Sequence, residues 1–508
     1  MPKTRSLRLT LAQIVGIDPR SLAAFRIALA LVLLWDLAVR ASNIGAFYTD
    51  AGVLPRSAQI EIYSNIPALL SLHLLGGTLT AQWLLFSLAF GAALCLLVGY
   101  RTFAATLVSW VLLVSLHNRN PMTLQGGDVL LRLLLFWSLF LPLGARGSLD
   151  AWLSPAPRTL AQPERNRREP LVTVATLAIL LQICFVYWFT AALKTDASWR
   201  SDGTAIAYAL SIDQLATPLG HSLLAYPALL RVLTHGTVWL ETFGPFVALL
   251  PFWRLRTGMA LVFIGFHFAI GACLTLGIFT WIAPTAWLLF LPSGFWNALE
   301  DRFGLNWFPR FDRARYRLIA RCEALGLRGL IPAPPVRWKA TAVQSACALL
   351  LVYVFAWNLR TLDFTTYGRV FPQSWNWLGD GARLDQMWDM FAPFPLKDDG
   401  WFVAPARLAN GTLVNLMDGG APISWKQPDD LSASFRDAIW QKYMLNLWAA
   451  SNGAHRPYYA AFLVRGWNAA HGERERVKSL ELVYMRRLTL ADLRKEAPRK
   501  FVLWQQRF

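Results

Sequence analysis

Lys194 is the residue whose position most invites chemistry. It closes the apolar run "LVTVATLAILLQICFVYWFTAAL", and Asp196 and Trp199 follow within five residues. An amine at an apolar boundary is partly desolvated, and desolvation makes an ammonium shed its proton more readily. A neutral amine there can act as a general base toward a lipid-soluble acid. The competing reading is a lysine that snorkels its charge to the membrane interface and adds little to packing. Other ionisable groups fall inside apolar runs, where they are costly and default to functional candidates. Asp128 follows "QGG", Glu241 sits in "VWLETFGPF" and His267 is central in "FIGFHFAIG". The two carboxylates read equally as interfacial groups, and His267 equally as a satisfied buried histidine. Arg26 and Asp36 lie ten residues apart in the first run, nearly three helical turns. That is too far for a direct pair, so they read as partners for other helices. The stretch "HNRN", His117 to Asn120, reads as a polar binding rim or as helix-end capping.

Motifs of soluble enzyme classes are missing. There is no GxSxG, P-loop or HExxH. Of the five cysteines, four lie in apolar runs and Cys322 lies in a basic loop, with no CxxC spacing. Neither a disulfide framework nor a zinc site follows, and no metal is expected.

The elements that must position these residues are apolar helices. Of 508 residues, 55% are hydrophobic and 16% charged, against about 25% charged in soluble domains. A span needs about 20 apolar residues. About nine runs qualify or nearly do: 21–41, 79–99, 103–117, 128–145, 171–193, 236–253, 257–277, 279–295 and 340–357. The net charge of +18 sits mostly in short connectors between them, the positive-inside pattern rather than a nucleic-acid motif. Lys3, Arg5, Arg8 and Arg20 precede the first run. Arg101, the Arg146–Arg168 stretch, Arg254 with Arg256, and the 296–340 loop occupy alternate connectors thereafter. One orientation satisfies them all: N-terminus cytoplasmic, C-terminus and Lys194 on the outer face of the cell (inner) membrane. The first twenty residues lack an apolar h-region, so no cleaved signal peptide is expected.

Residues 1–357 are therefore expected to form a transmembrane unit and 358–508 a small extracytoplasmic α+β domain. In the latter, "GWFVAPARLANGTLVNLMDGG" reads as two strands around the turn Asn410-Gly411. "RPYYAAFLVRGWN" and "VKSLELVYMRRLT" alternate like further strands, and "SASFRDAIWQKYMLNLWAA" reads as an amphipathic helix. The fold class is a mainly α membrane protein, a helical bundle followed by that domain.

Five stretches resemble the vitamin K-dependent gamma-carboxylase family, and most closely its HTTM (horizontally transferred transmembrane) domain relatives. They are "DPRSLAAFRIALALVLLWDL", "LVGYRT", "FTAALKTDASW", "HFAIGACLTLGIF" and "MWDMFAPFP". The resemblance covers nearly the whole chain and is most specific at the lysine segment. It implies that Lys194 falls on the family's catalytic lysine. That residue deprotonates a reduced quinone of the vitamin K type, which dioxygen then oxidises. The strong base so formed removes a γ proton from glutamate, and carbon dioxide traps the carbanion. His267, Glu241, Asp128, Trp199 and His117 are candidates for binding quinol or substrate. Two departures bear on carboxylation. The family's Asn-Asn-His before the fourth span falls at Gln125-Gly126-Gly127-Asp128, and its paired lysines fall at Leu193-Lys194. The alternatives are quinol oxidation without carboxylation, or a non-enzymatic membrane scaffold or lipid-binding protein. Expected partners are membrane lipids, a lipid-soluble quinol and a protein or peptide substrate on the outer face, and no nucleic acid.

Overall fold

Helices begin where a side chain or proline can serve the first turn, whose N–H groups lack intrahelical partners. The structure, a computed structural model, describes residues 10–66, 69–153, 169–303 and 340–508. Much of the basic sequence used for orientation, and Cys322, lie outside the described residues. Asp18 accepts from the Arg20 N–H at 2.7 Å and Pro19 opens α1 (Pro19–Ala41). Thr78 caps α2 (Leu79–Val98), and α3 (Thr102–Arg119) follows. Gln125 and Asp128 form a capping box on α4 (Gly126–Ser138), and Thr173 and Thr176 form another on α5 (Val174–Leu193). Pro227 opens α6 (Pro227–Ala248); α7 (Trp253–Cys273), α8 (Phe279–Trp287) and α9 (Thr341–Leu362) complete the bundle.

Five of these, α1, α2, α5, α7 and α9, are long and apolar enough to cross a membrane. The remaining expected spans are helices too, but shorter or more polar. The run 128–145 yields only the 13 residues of α4, with Pro142 close behind to prevent continuation. α8 has 9 residues before a tighter turn, Leu288–Phe290. α3 ends in His117, Asn118 and Arg119, and α6 carries Arg231, His235 and Glu241. Among the five, α5 is the central helix: 78% of its apolar window is buried, against 28% for α7 and α9. The outer helices present exposed leucine, valine and phenylalanine, such as Leu349, Val352 and Phe355 on α9, as a face in contact with acyl chains would.

The C-terminal region folds as a mixed unit. Its strands are β1 (Asp398–Val403), β2 (Pro405–Leu408), β3 (Leu413–Asn415), β4 (Val477–Leu488) and β5 (Arg499–Arg507). β4 is central and all its pairings are antiparallel: Trp401 opposes Met485, Ala406 opposes Leu480, and Leu482 opposes Trp504. β2 and β3 form the expected hairpin, with Gly411 at φ 87°, a left-handed conformation that glycine adopts freely. The expected first strand is interrupted at Ala404, so β1 and β2 both pair with β4. α10 (Ala438–Trp448) is the expected amphipathic helix, started later than its apolar pattern by the Asp437 cap.

"RPYYAAFLVRGWN" is not a strand. It forms α11 (Arg456–Ala470), with Pro457 in its first turn and Tyr459, Ala460 and Val464 buried. These residues sit at helical spacing, so a short apolar run that fits both periods resolves by packing.

The C-terminal unit shares core with the bundle. Trp388, Tyr443 and Leu447 belong to the same buried cluster as Leu29, Leu134 and Ile183. Asn43 Nδ2 donates to Asp437 Oδ2 at 2.6 Å, and Trp440 Nε1 donates to Asn43 Oδ1 at 2.9 Å. This places the start of α10 at the C-terminal end of α1.

Candidate functional site

Lys194 is the residue at which α5 stops. Arg200 holds that end: its Nε donates to the Lys194 carbonyl and its Nη2 to the Ala191 carbonyl, both at 2.7 Å. Cations are favoured at helix C-termini for this reason. Asp196 then caps the short helix Ala197–Arg200, which brings Trp199 back beneath the lysine.

The side chain is buried and paired rather than alone. Lys194 is 3% exposed and Glu241 6% exposed. Lys194 Nζ donates to Glu241 Oε1 at 2.7 Å and Oε2 at 2.5 Å. Nζ also stands 4.3 Å from the centroid of the Trp199 ring, within cation–π range. The segment leading into the sheet holds this turn: Trp199 Nε1 donates to Phe391 O at 2.9 Å, and Asp196 N–H to Pro393 O at 3.4 Å. Two stretches quoted above, "FTAALKTDASW" and "MWDMFAPFP", thus meet at this point.

Glu241 is set by the packing of α6 on α5, tied by Trp188 Nε1 to the Thr242 carbonyl at 3.2 Å. Pro245 lies one turn later in α6 and has no N–H to offer the Glu241 carbonyl. With both side chains buried, each group depends on the other for its hydrogen bonds.

His267 is buried on α7 and bonds a tyrosine of α5 rather than this pair. Its Nε2 lies 2.7 Å from Tyr187 Oη, which also accepts from Trp287 Nε1 at 2.7 Å. Tyr187 sits roughly two turns before Lys194 on α5 and within electrostatic reach of Glu241. No described hydrogen bond joins His267 to Lys194 or Glu241.

Asp128 and His117 belong to a second buried cluster. Arg40 Nε donates to Asp36 Oδ2 at 2.8 Å, its Nη2 pairs with Asp128 Oδ1, and its Nη1 reaches Tyr48 Oη at 3.1 Å. His117 Nε2 lies 3.6 Å from Asp128 Oδ1, and neither ring nitrogen has a hydrogen-bond partner among the described residues. The ligand-capable atoms of Asp36, His117 and Asp128 lie within 4.8 Å of one another, as around an ion. The guanidinium of Arg40, bonded to both carboxylates, already supplies the positive charge there. "HNRN" is wholly buried rather than a rim. Asn118 Nδ2 donates to Leu70 O at 2.6 Å and Arg119 Nη2 to Leu54 O at 2.8 Å, pinning the connecting loops. Arg26, as expected, does not pair with Asp36; it donates to the Gly147 carbonyl.

Gly127 lies in a close helix–helix contact. A Cβ there would stand 2.5 Å from Ile278 Cγ2 and 2.7 Å from the Phe279 backbone nitrogen. α4 approaches the start of α8 too closely for any side chain at this position.

Arg200, Tyr187 and Arg40 were not anticipated. Arg200 and Tyr187 both lie in the "YWFTAALKTDASWR" stretch, and Arg40 follows Asp36 at i+4, a spacing that pairs on a helix.

A mostly helical chain with apolar spans, a lysine ending the central one and a C-terminal sheet is a membrane protein with a buried acid–base pair. The HTTM domain model matches residues 15–295, more than half of the chain, and the chain belongs to that family. HTTM domains occur in members of the vitamin K-dependent carboxylase family. No curated protein and no solved structure matches the chain.

Proposed function

We propose that this chain is a quinol-dependent membrane enzyme of the vitamin K-dependent carboxylase-like type, with Lys194 and Glu241 as its proton-handling pair. The observation that carries the reading is the Lys194–Glu241 contact, buried against Trp199 on the segment that resembles the family's lysine motif. An amine, a carboxylate and an indole face in an apolar setting fit an aromatic ring bearing an acidic hydroxyl. A reduced quinone, when bound, supplies the electrons that reduce dioxygen. Lys194 Nζ and Glu241 Oε2 hold and move the proton, Arg200 fixes the backbone that aims the amine, and Phe391 and Pro393 exclude water. Carbon dioxide and a glutamyl side chain are the further substrates under this reading. α1, α2, α5, α7 and α9 cross the cell membrane with the shorter or more polar helices packed among them, the N-terminus is cytoplasmic, and residues 358–508 are extracytoplasmic, following the basic connectors.

A second reading, quinol oxidation without carboxylation, rests on the segment Gln125-Gly126-Gly127-Asp128, which stands where the resembled family has Asn-Asn-His. Purified protein given reduced menaquinone and ¹⁴C-bicarbonate with a glutamate-containing peptide separates the two. Quinol-dependent oxygen uptake with label in acid-stable peptide supports carboxylation. Uptake without label supports the second reading, and neither signal would refute both.

A further inference from the structure

Where α9 ends, a cleft of about 610 Å³ opens between α4, α9 and the segment leading to the sheet. Arg132 of α4, Arg360 of α9 and Arg383 of that segment line it, against one lining carboxylate, Asp385. Asp385 is already held by Arg132 at 2.8 Å and stands 3.1 Å from Arg383. Asp380 interacts electrostatically with Arg360, and Asp128 with Arg132, from outside the lining, whose own charged groups are three guanidinium groups and one carboxylate. Arg360 is fixed by Asn376 Oδ1 at 2.8 Å through Nη1, and its guanidinium carbon stands 4.4 Å from the Trp357 ring centroid. Its Nε and Nη2 have no hydrogen-bond partner among the described residues. A planar guanidinium with free donors matches a phosphate geometrically.

Apart from Thr361 and Gln386, the remaining walls are apolar. Trp357, Phe364 and Met387 line the cleft, and Phe364 and Met387 are about half exposed. A free inorganic anion needs no such walls. The cleft also sits at the end of a helix apolar enough to span a membrane. The chain beyond it exposes Tyr367, Val370, Trp375 and Trp377. Tryptophan and tyrosine concentrate where acyl chains give way to headgroups.

We propose that this cleft binds the headgroup of an anionic glycerophospholipid, with Arg360 and Arg383 on the phosphate and Phe364 and Met387 along the proximal acyl chains. The proposal does not depend on the quinol reading.

The test uses full-length protein in neutral detergent micelles, with lipid binding followed by native mass spectrometry. Dioleoylphosphatidylglycerol is the probe, beside dioleoylphosphatidylcholine, inorganic phosphate and a glutamate-rich peptide. The expected result is saturable phosphatidylglycerol binding, weaker for phosphatidylcholine, and reduced about tenfold in Arg360→Gln, as for loss of a charge-assisted hydrogen bond. Met387→Glu alters only an exposed position, keeps the arginines, and lowers the same affinity by repulsion, so a poorly folded Arg360→Gln does not leave the question open. Equal binding of both lipids, unchanged affinity in both variants, inorganic phosphate binding as tightly as the lipid, or the peptide taking the cleft instead would each overturn it.

Discussion

Breaking the Lys194–Glu241 pair from one side should cost far more than losing an interfacial lysine. Both side chains are nearly fully buried, so water does little to screen whichever charge is left behind. Lys194→Met strands the Glu241 carboxylate, and Glu241→Met strands the ammonium. Each single change is expected to cost about 3–5 kcal/mol, the usual penalty for an uncompensated buried charge. A snorkelling lysine would give about 0.5 kcal/mol or less. The double variant Lys194→Met/Glu241→Met replaces the pair by apolar groups of similar size and should be near wild type in stability. The coupling between the two changes should therefore approach the sum of the two single costs, about 6–10 kcal/mol in magnitude, well outside the scatter of additive sites. Dodecyl sulfate titration in mixed micelles, followed by circular dichroism, measures all four proteins. Single variants at wild-type stability, or a double variant as unstable as the sum of the singles, would refute the buried pair.

Three further outcomes follow from local geometry. Gly127→Ala should lose about 1–3 kcal/mol by overpacking against Ile278 and Phe279, read as a lowered thermal midpoint; a neutral effect would mean α4 shifts freely. Tyr187→Phe removes the oxygen shared by His267 and Trp287 and should cost about 1–3 kcal/mol for the buried donor left behind. Thermal unfolding checks this, and no change would show the network to be idle. At the sheet interface, burial acts to raise the Asp213 carboxyl, but Lys495, Gln427 and Arg487 outweigh it and hold its pKa below the usual range. A carboxylate with a lowered folded pKa stabilises fully above its unfolded value of about 3.9, and that contribution is lost as pH falls through the folded value. Burial and Asp213 push neighbouring Asp399 the other way, so it protonates earlier. Protection of the Ile212–Leu215 amides against hydrogen exchange, relative to the intrinsic rate at each pH, should therefore fall below about pH 4 and become less pH-dependent in Asp213→Asn; identical profiles would remove Asp213 from the contact.

Much of the architecture was legible because a bilayer forces long apolar runs on the chain. α1, α2, α5, α7 and α9 follow from hydropathy alone. α6 was harder to delimit: hydropathy begins it at 236, whereas the helix starts at Pro227 and includes Arg231 and His235. In the C-terminal unit the Asn410-Gly411 hairpin was visible because its turn is local. β5 was not, because its residues are mostly exposed and alternate weakly, so only pairing with β4 defines it. α11 was mistaken for a strand because its buried face depends on contacts with the sheet. At the site, type and order pointed to Lys194, Glu241 and Trp199 separately. That Lys194 and Glu241 touch depends on how α6 packs on α5, a long-range fact with no local signature. The same holds for Arg40 between Asp36 and Asp128: the i+4 spacing was in the sequence, but the third partner came from α4.

The most direct test of the central claim is quinol-dependent oxygen uptake by Lys194→Arg. Arginine keeps a cation beside Glu241, so the buried charge stays paired and the protein should remain folded, as thermal unfolding of the same sample reports. A guanidinium does not release its proton near neutral pH, so proton transfer through the pair stops. The account predicts a folded protein whose turnover falls by about 10²- to 10⁴-fold, the usual loss for a general base. A folded Lys194→Arg that consumes oxygen at the wild-type rate would contradict it, and would leave the Lys194–Glu241 pair as a packing feature of the bundle.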